Sequence, residues 1–283
     1  MITDFFISDL TYFFIYIIIV VSFNLAFGYT GLVNLGHMVF FGIGAYTSAI
    51  LTLHGVPWYY ALPVAGIFTS FIGVIIAAIT VRLKGDYFQI VTLGMVFIAI
   101  AVSRNWISLT RGALGMPGVP YIIKDRFHYM VFTFLVCFAS MAFFYWLTKS
   151  ETGKIFQAIR DDETGAAILG KNTYFYKILS ISISTFFAGI AGSLFVHMLH
   201  FVDPSIFDLE FFVIILAMLI VGGLASIWAS VAGTLLLFII IDLLRFLVVS
   251  PELIGSVRQM SLMLILILIL IFKPRGVLGK VDV

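Results

Sequence analysis

Residues 151–173, ETGKIFQAIRDDETGAAILGKNT, form the one long polar segment between strongly apolar runs. Lys149, Lys154, Arg160, Lys171 and Lys177 stand in or beside it among Glu151, Asp161, Asp162 and Glu163. Ile155, Phe156 and Ile159 share one face of a 3.6-residue period with Lys154 and Arg160 off it, which predicts a first short helix. Asp161 and Asp162 then offer an N-cap, Ala166, Ala167, Ile168 and Leu169 form the next turns, and Gly170 is a C′ stop. This predicts a second helix of roughly 8 residues, about 12 Å long. So short a helix is marginal in water when free, and it needs a surface to dock on. A solvated loop with amphipathic ends fits the same periodicity.

Outward from this segment the chain is apolar. Of its 283 residues 62% are hydrophobic and 11% charged, and the mean hydropathy is +1.17. A soluble domain carries about a quarter charged residues, so water is not the main solvent here. The apolar runs have the length of helices rather than barrel strands, which makes the chain an all-α polytopic membrane protein. Cys137 is the only cysteine, which excludes an internal disulfide and any multi-cysteine metal site. The first run, 10–27, follows Asp4 and Asp9 rather than a basic segment and reads as a retained span, not a cleaved signal.

Residues 28–53 are interrupted by Gly28, Gly31, Gly36, Gly42 and Gly44, which is consistent with a broken or re-entrant element or with tight helix packing. Further runs cover 58–81, 87–109, 128–147, 178–199, 227–249 and 257–272, while 211–224 is short for a span. Within 178–199, Ser184, Ala188 and Gly192 recur every four residues, a small-residue seam for close contact. Residues 110–120, TRGALGMPGVP, are dense enough in glycine and proline to stop both helix and strand. The Lys and Arg count places the polar segment in the cytoplasm, with the Arg82/Lys84 turn and the tail carrying Lys273, Arg275 and Lys280. The N-terminus then lies outside if the glycine-rich run crosses, and Arg111, Lys124 and Arg126 count against the scheme.

Asn24, Asn34 and His37 are polar groups in apolar surroundings, so they pair with other helices or face a hydrated path. Asn34 and His37, three apart, share a face if their stretch is helical. His197 and His200 have the same spacing beside Asp203, but without the pattern of a metalloprotease site they read as interfacial hydrogen-bonding groups. Asp242 and Arg245 can pair within one helix. The chain contains no G-x-x-x-x-G-K-[ST] loop, so it does not bind ATP through a Walker A motif.

Five stretches in order resemble the integral-membrane permeases of branched-chain amino acid ABC transporters, the LivM-like subunit in particular. They are 28–51 (GYTGLVNLGHMVFFGIGAYTSAIL), 86–94 (DYFQIVTLG), 112–120 (GALGMPGVP), 158–173 (AIRDDETGAAILGKNT) and 273–279 (KPRGVLG). The resemblance implies a single transmembrane permease domain over 1–283, with about 8–10 transmembrane or re-entrant helices. One cytoplasmic EAA-type coupling loop, about 149–177, would engage an ATP-hydrolysing subunit through Arg160, Asp162, Glu163, Ala166, Leu169 and Gly170. Asn34, His37 and Tyr46 would line the translocation path. The chain would be no enzyme and bind no cofactor, ATP being held by partner subunits. The implied partners are a second, H-type permease subunit, two ATP-binding cassette subunits and an extracytoplasmic substrate-binding protein, with membrane lipid around them and no nucleic acid. The expected place is the cytoplasmic membrane, and the substrate a branched-chain or other hydrophobic amino acid. A urea or short-amide permease, an ion-coupled secondary transporter using broken helices and an intramembrane enzyme are the alternatives.

Two departures stand out. Thr164 and Gly165 stand where such loops favour small or apolar helix formers, and Lys171 where an apolar residue is usual; Gly165 alone costs up to about 1 kcal/mol relative to Ala. Residues 222–233 (GGLASIWASVAG) resemble a segment richer in glycine and containing proline, with Ala225, Ala229 and Ser230 in their place. A weaker chain break is expected there.

Overall fold

The computed structural model describes residues 2–83, 85–245, 251–273 and 275–279, so Lys84 and Lys280 lie outside the described residues. The side chain of Arg245, and with it the expected Asp242–Arg245 pair, also lies outside what is described. In order, the helices are α1 (Ile2–Asn24), α2 (His37–Leu53), α3 (Trp58–Thr80), α4 (Asp86–Asn105), α5 (Ile107–Thr110) and α6 (Arg126–Lys149). They continue as α7 (Glu151–Asp161), α8 (Glu163–Ile168), α9 (Thr173–Leu199), α10 (Leu209–Gly222), α11 (Ile227–Arg245) and α12 (Pro251–Phe272). Among the described residues, five stretches are long and apolar enough to cross a membrane: Asp4–Tyr29, α3, α4, α6 and α9. With the shorter apolar α2, α10 and Ile227–Leu243, and with α12, these fall within the eight to ten expected.

The bundle is built around α9, whose 27 residues span roughly 40 Å. The Asn172 side chain caps its start by accepting from the Phe175 N–H at 3.1 Å, and His200 ends it in the left-handed conformation (φ 57°). The expected seam is fully used. Ser184 and Ala188 are buried, and a methyl group added to Gly192 would sit 1.9 Å from the Phe41 carbonyl oxygen of α2. Lipid offers little hydrophobic drive between helices, so such close approach, with its dispersion and hydrogen bonds, holds the bundle together.

Hydroxyl contacts fix the direction of each neighbour. Ser184 donates to the Ser22 carbonyl of α1 at 2.6 Å, Ser70 of α3 pairs with Ser182 at 2.8 Å, and Tyr174 donates to the Ala78 carbonyl at 2.9 Å. Tyr129 of α6 reaches the Leu194 carbonyl at 2.6 Å. Helices α1, α3 and α6 therefore run antiparallel to α9, and α2 runs parallel to it. The turn after α3, helices α7 and α8, and the C-terminal tail gather at one end. Residues 106–125 and 200–208, carrying Arg111 and Lys124, occupy the other. There Met116–Pro117 (β1) pairs antiparallel with Phe201–Val202 (β2), so the loop expected to stop both helix and strand contributes a two-residue strand.

The glycine-rich run is broken. A π-helical turn at Leu25–Tyr29 ends the first span, residues 30–36 form a connection, and α2 begins at His37. A second break lies between α10 and α11, where Gly223 has φ 112° and Ala225 φ 57° although the segment lacks proline. Its backbone is satisfied from two directions. The Asn24 amide donates to the Ser226 carbonyl (3.0 Å) and the Ser230 hydroxyl (2.7 Å), while its oxygen accepts from the Ala225 N–H (3.1 Å). From the tail, the Val277 and Leu278 N–H groups donate to the Val221 and Gly222 carbonyls, both at 2.9 Å. The tail comes this close because Gly223 and Gly279 meet without side chains.

Asn24→Leu leaves the Ala225 N–H of the break without its partner in an apolar bundle, while the Ser226 carbonyl keeps the Ser230 N–H. We expect a loss of about 2 kcal/mol or more of stability, read as a lower thermal midpoint in detergent. A wild-type midpoint would show that the tail alone holds the break.

Candidate functional site

The polar segment folds as two helices joined at Asp162. Ser150 opens α7 by accepting from the Gly153 N–H, and Phe156 and Ile159 are buried against the bundle as the periodicity predicts. Asp162 caps α8, accepting from the Gly165 N–H at 2.9 Å. The helix is six residues long rather than about eight, because Leu169 already serves as its C-cap and Gly170 follows at φ 79°. Ala166 is its buried face.

Two contacts fasten this loop to the bundle. Arg160, 15% exposed, donates through Nη1 to the Gly28 carbonyl at 2.8 Å and through Nε to Asp161 at 2.9 Å. It thus ties α7 to the π-turn that ends the first span. Lys177, in the first turns of α9, bonds Glu163 at 2.6 Å, with the lysine side chain 9% exposed and the carboxylate 41%. On the exposed surface, the Lys154 ammonium 2.7 Å from Glu151 holds that carboxyl below its ordinary range.

Beyond these fasteners α8 presents apolar side chains to the outside. Ile168 and Leu169 are 81% and 79% exposed at the tip of a charged loop. Sequence reasoning selected Leu169 but missed Ile168, which is equally exposed. It also missed the pairing of Lys177 with Glu163, since fourteen positions separate them and no periodicity joins them.

The expected path residues fall into two groups. Asn34 is not helical and does not share a helix face with His37. It lies in the connection before α2, where its oxygen accepts from the Gly36 N–H at 3.1 Å and shapes the turn. His37 and Tyr46 both lie on α2 and are buried. His37 stacks on Phe23 (4.9 Å) and contacts the Ser22 hydroxyl at 3.1 Å. Ser22 spends its proton on the Ile19 carbonyl, so it accepts from His37 Nε2–H, and the neutral ring's Nδ1 is left as a buried acceptor with no partner. The Tyr46 hydroxyl is likewise buried without a partner, its ring stacked on Phe207 at 5.8 Å.

His197 and His200 serve the opposite end of the bundle. The Pro120 carbonyl accepts from His197 Nδ1–H at 2.8 Å, which makes Nε2 the acceptor for the Ser48 hydroxyl at 2.9 Å. Ser193 donates in turn to Ser48 at 2.7 Å. His200 contacts the Val119 carbonyl at 3.1 Å. Among the described residues no group of three or more His, Cys, Asp or Glu side chains could hold a metal ion.

The Glu163–Lys177 pair makes an asymmetric prediction. Glu163→Gln strands a buried ammonium, whereas Lys177→Met strands a carboxylate that water still reaches. Glu163→Gln should cost more, by about 1 kcal/mol, in the thermal unfolding of the purified chain. Equal costs would show that the pair is solvated from both sides.

Residues 5–272 match the family described as "Branched-chain amino acid transport system / permease component". The high-affinity branched-chain amino acid transport system permease protein LivM of Escherichia coli (strain K12) is 30% identical over 298 residues, covering 93% of this chain and 68% of the relative. LivM of Salmonella typhimurium shows the same identity and coverage. LivH of Salmonella typhimurium is 26% identical over 297 residues, covering 95% of this chain and 92% of the relative. No solved structure matches. A bundle of apolar helices centred on α9, with its capped polar loop and a match from end to end of the spans, belongs to the branched-chain amino acid transport permease family.

Proposed function

We propose that this permease is one of two membrane subunits of an ABC importer in a cytoplasmic membrane, carrying branched-chain or other hydrophobic amino acids. The observation that carries the reading is α8. It is a short, doubly capped helix fastened by Arg160 and Lys177, and it offers Ile168 and Leu169 to a surface outside the chain. Two ATP-binding cassette subunits supply that surface for the assembled transporter, and ATP stays on them. An H-type permease completes the path, as the likeness to both LivM and LivH supports, and an extracytoplasmic binding protein delivers the substrate.

In this reading Arg160, Asp162, Glu163, Ala166, Leu169 and Gly170 make up the coupling element. Asp162 and Gly170 set the length of the helix, Ala166 seats it, and Glu163 and Arg160 transmit its displacement to α9 and to the end of α1. ATP binding can shift the transporter between its two states only as far as α8 docks differently in each. The path is lined from Asn34 through His37 to Tyr46. The His37 Nδ1 and the Tyr46 hydroxyl support this, because a buried polar atom without a partner is costly unless another state brings it water or substrate.

Ile168→Ser with Leu169→Ser alters only exposed side chains, so the doubly substituted chain should insert and assemble normally. In proteoliposomes of the complete transporter we expect leucine, isoleucine and valine uptake to fall at least several-fold, with substrate-stimulated ATP hydrolysis lost in parallel. Unchanged uptake and unchanged stimulation would refute α8 as the coupling helix, and uptake of urea in preference to leucine would refute the substrate class.

Cysteines placed singly along residues 33–41, in a Cys137→Ala background, test the path. Those on the His37 face should react with small aqueous thiol reagents during turnover, and substrate should slow them. A silent His37 face, with His37→Ala losing expression rather than rate, would make this histidine a packing residue.

A further inference from the structure

Beside α8 a cleft of about 290 Å³ opens among the connection before α2, the turn before α4, α7, α8 and the start of α9. Leu32, Phe88 and Ile159 contribute apolar side chains to its lining, and Arg160, Glu163 and Lys177 bring both signs of charge. The charges are placed for use rather than only for mutual neutralisation. Glu163 keeps 41% of its side chain exposed although Lys177 bonds it. Nε and Nη2 of Arg160 both face Asp161 and Nη1 bonds Gly28, which leaves one further N–H on each Nη. Small-molecule sites combine an apolar body with a few convergent polar groups, and this cleft lies at the lower end of their usual size.

We propose that the cleft is a second amino-acid site, on the coupling-loop side of the permease, for a free zwitterion with an apolar side chain. The choice of an amino acid over another zwitterion rests on the transport reading above. The ligand's carboxylate pairs with the Arg160 guanidinium, its ammonium with Glu163, and its side chain lies against Leu32, Phe88 and Ile159. Arg160 suits the carboxylate because its planar donors match two oxygens at once. The ammonium competes with Lys177 for Glu163, the first residue of α8. Occupancy therefore loosens the strap between α8 and α9, and the accumulated product acts on the helix that couples transport to ATP hydrolysis.

The test uses the full chain in lipid nanodiscs, with Val33→Cys or Gln89→Cys as reporters inside the cleft and Leu169→Cys as a reporter outside it, each in a Cys137→Ala background. L-Leucine should slow thiol modification at Val33→Cys and Gln89→Cys several-fold and leave Leu169→Cys unchanged. Isovalerate and isopentylamine, each lacking one of the two charges, should protect far less. Agreement between two independent cleft reporters guards against a local effect of either substitution. No protection by leucine, or equal protection by isovalerate, would overturn the site. Leucine uptake by the assembled transporter without cleft protection removes this site and leaves the transport reading standing, whereas protection without uptake does the reverse.

Discussion

A polar group inside an apolar bundle has no water to fall back on, and that constraint shapes the whole structure. Helix α9 meets it with a ladder of side chains whose partners lie on other elements: Ser180 on Thr30, Ser182 on Ser70, Ser184 on the Ser22 carbonyl, Ser193 on Ser48, and His197 on both Ser48 and the Pro120 carbonyl. Each such bond contributes modestly, about 0.6 kcal/mol on average in membrane bundles. Their value lies in direction, because each contact admits one register of its helix pair. The small residues between them allow the approach that makes the bonds short.

The same rule governs the places where the chain leaves the helix. Irregular backbone at membrane depth survives only when protein or enclosed water satisfies it. Asn24 does this for the break between α10 and α11 with one side chain and three hydrogen bonds, and the tail does the remainder. Gly223 serves that break twice, by adopting φ 112° and by letting the tail's backbone reach it. Against this thorough pairing, the His37 Nδ1 and the Tyr46 hydroxyl stand apart, and both lie on the single helix α2 that follows the first break.

The polar loop joins these interior features to the outside. Arg160 reads the end of α1 through the Gly28 carbonyl, and Lys177 reads α8 from the base of α9. If α8 is the coupling helix proposed above, a push on it would reach the two helices that share the Ser22–Ser184 contact. Both fasteners are charge-assisted bonds at the edge of the bundle, with the cation largely buried in each.

By itself the sequence determined the class of the molecule and the outline of its loop. Apolar run length is a local property, so the spans, the amphipathic face of α7 with Phe156 and Ile159, and the cap at Asp162 could all be read without a structure. The four-residue spacing of Ser184, Ala188 and Gly192 likewise announced a contact face, because helical periodicity alone puts those residues together. Tertiary structure decided the rest. Asn34 turned out to shape a turn rather than share a helix face with His37, since whether a glycine-rich stretch continues as helix depends on what packs against it. The break at 223–226 formed without the expected proline because Asn24, some two hundred residues away in sequence, supplies its hydrogen bonds. Lys177 and Glu163, and the lining of the cleft beside them, come from elements that only the packing of α2, α4, α7 and α9 brings to one end, and no local pattern in the chain encodes that meeting.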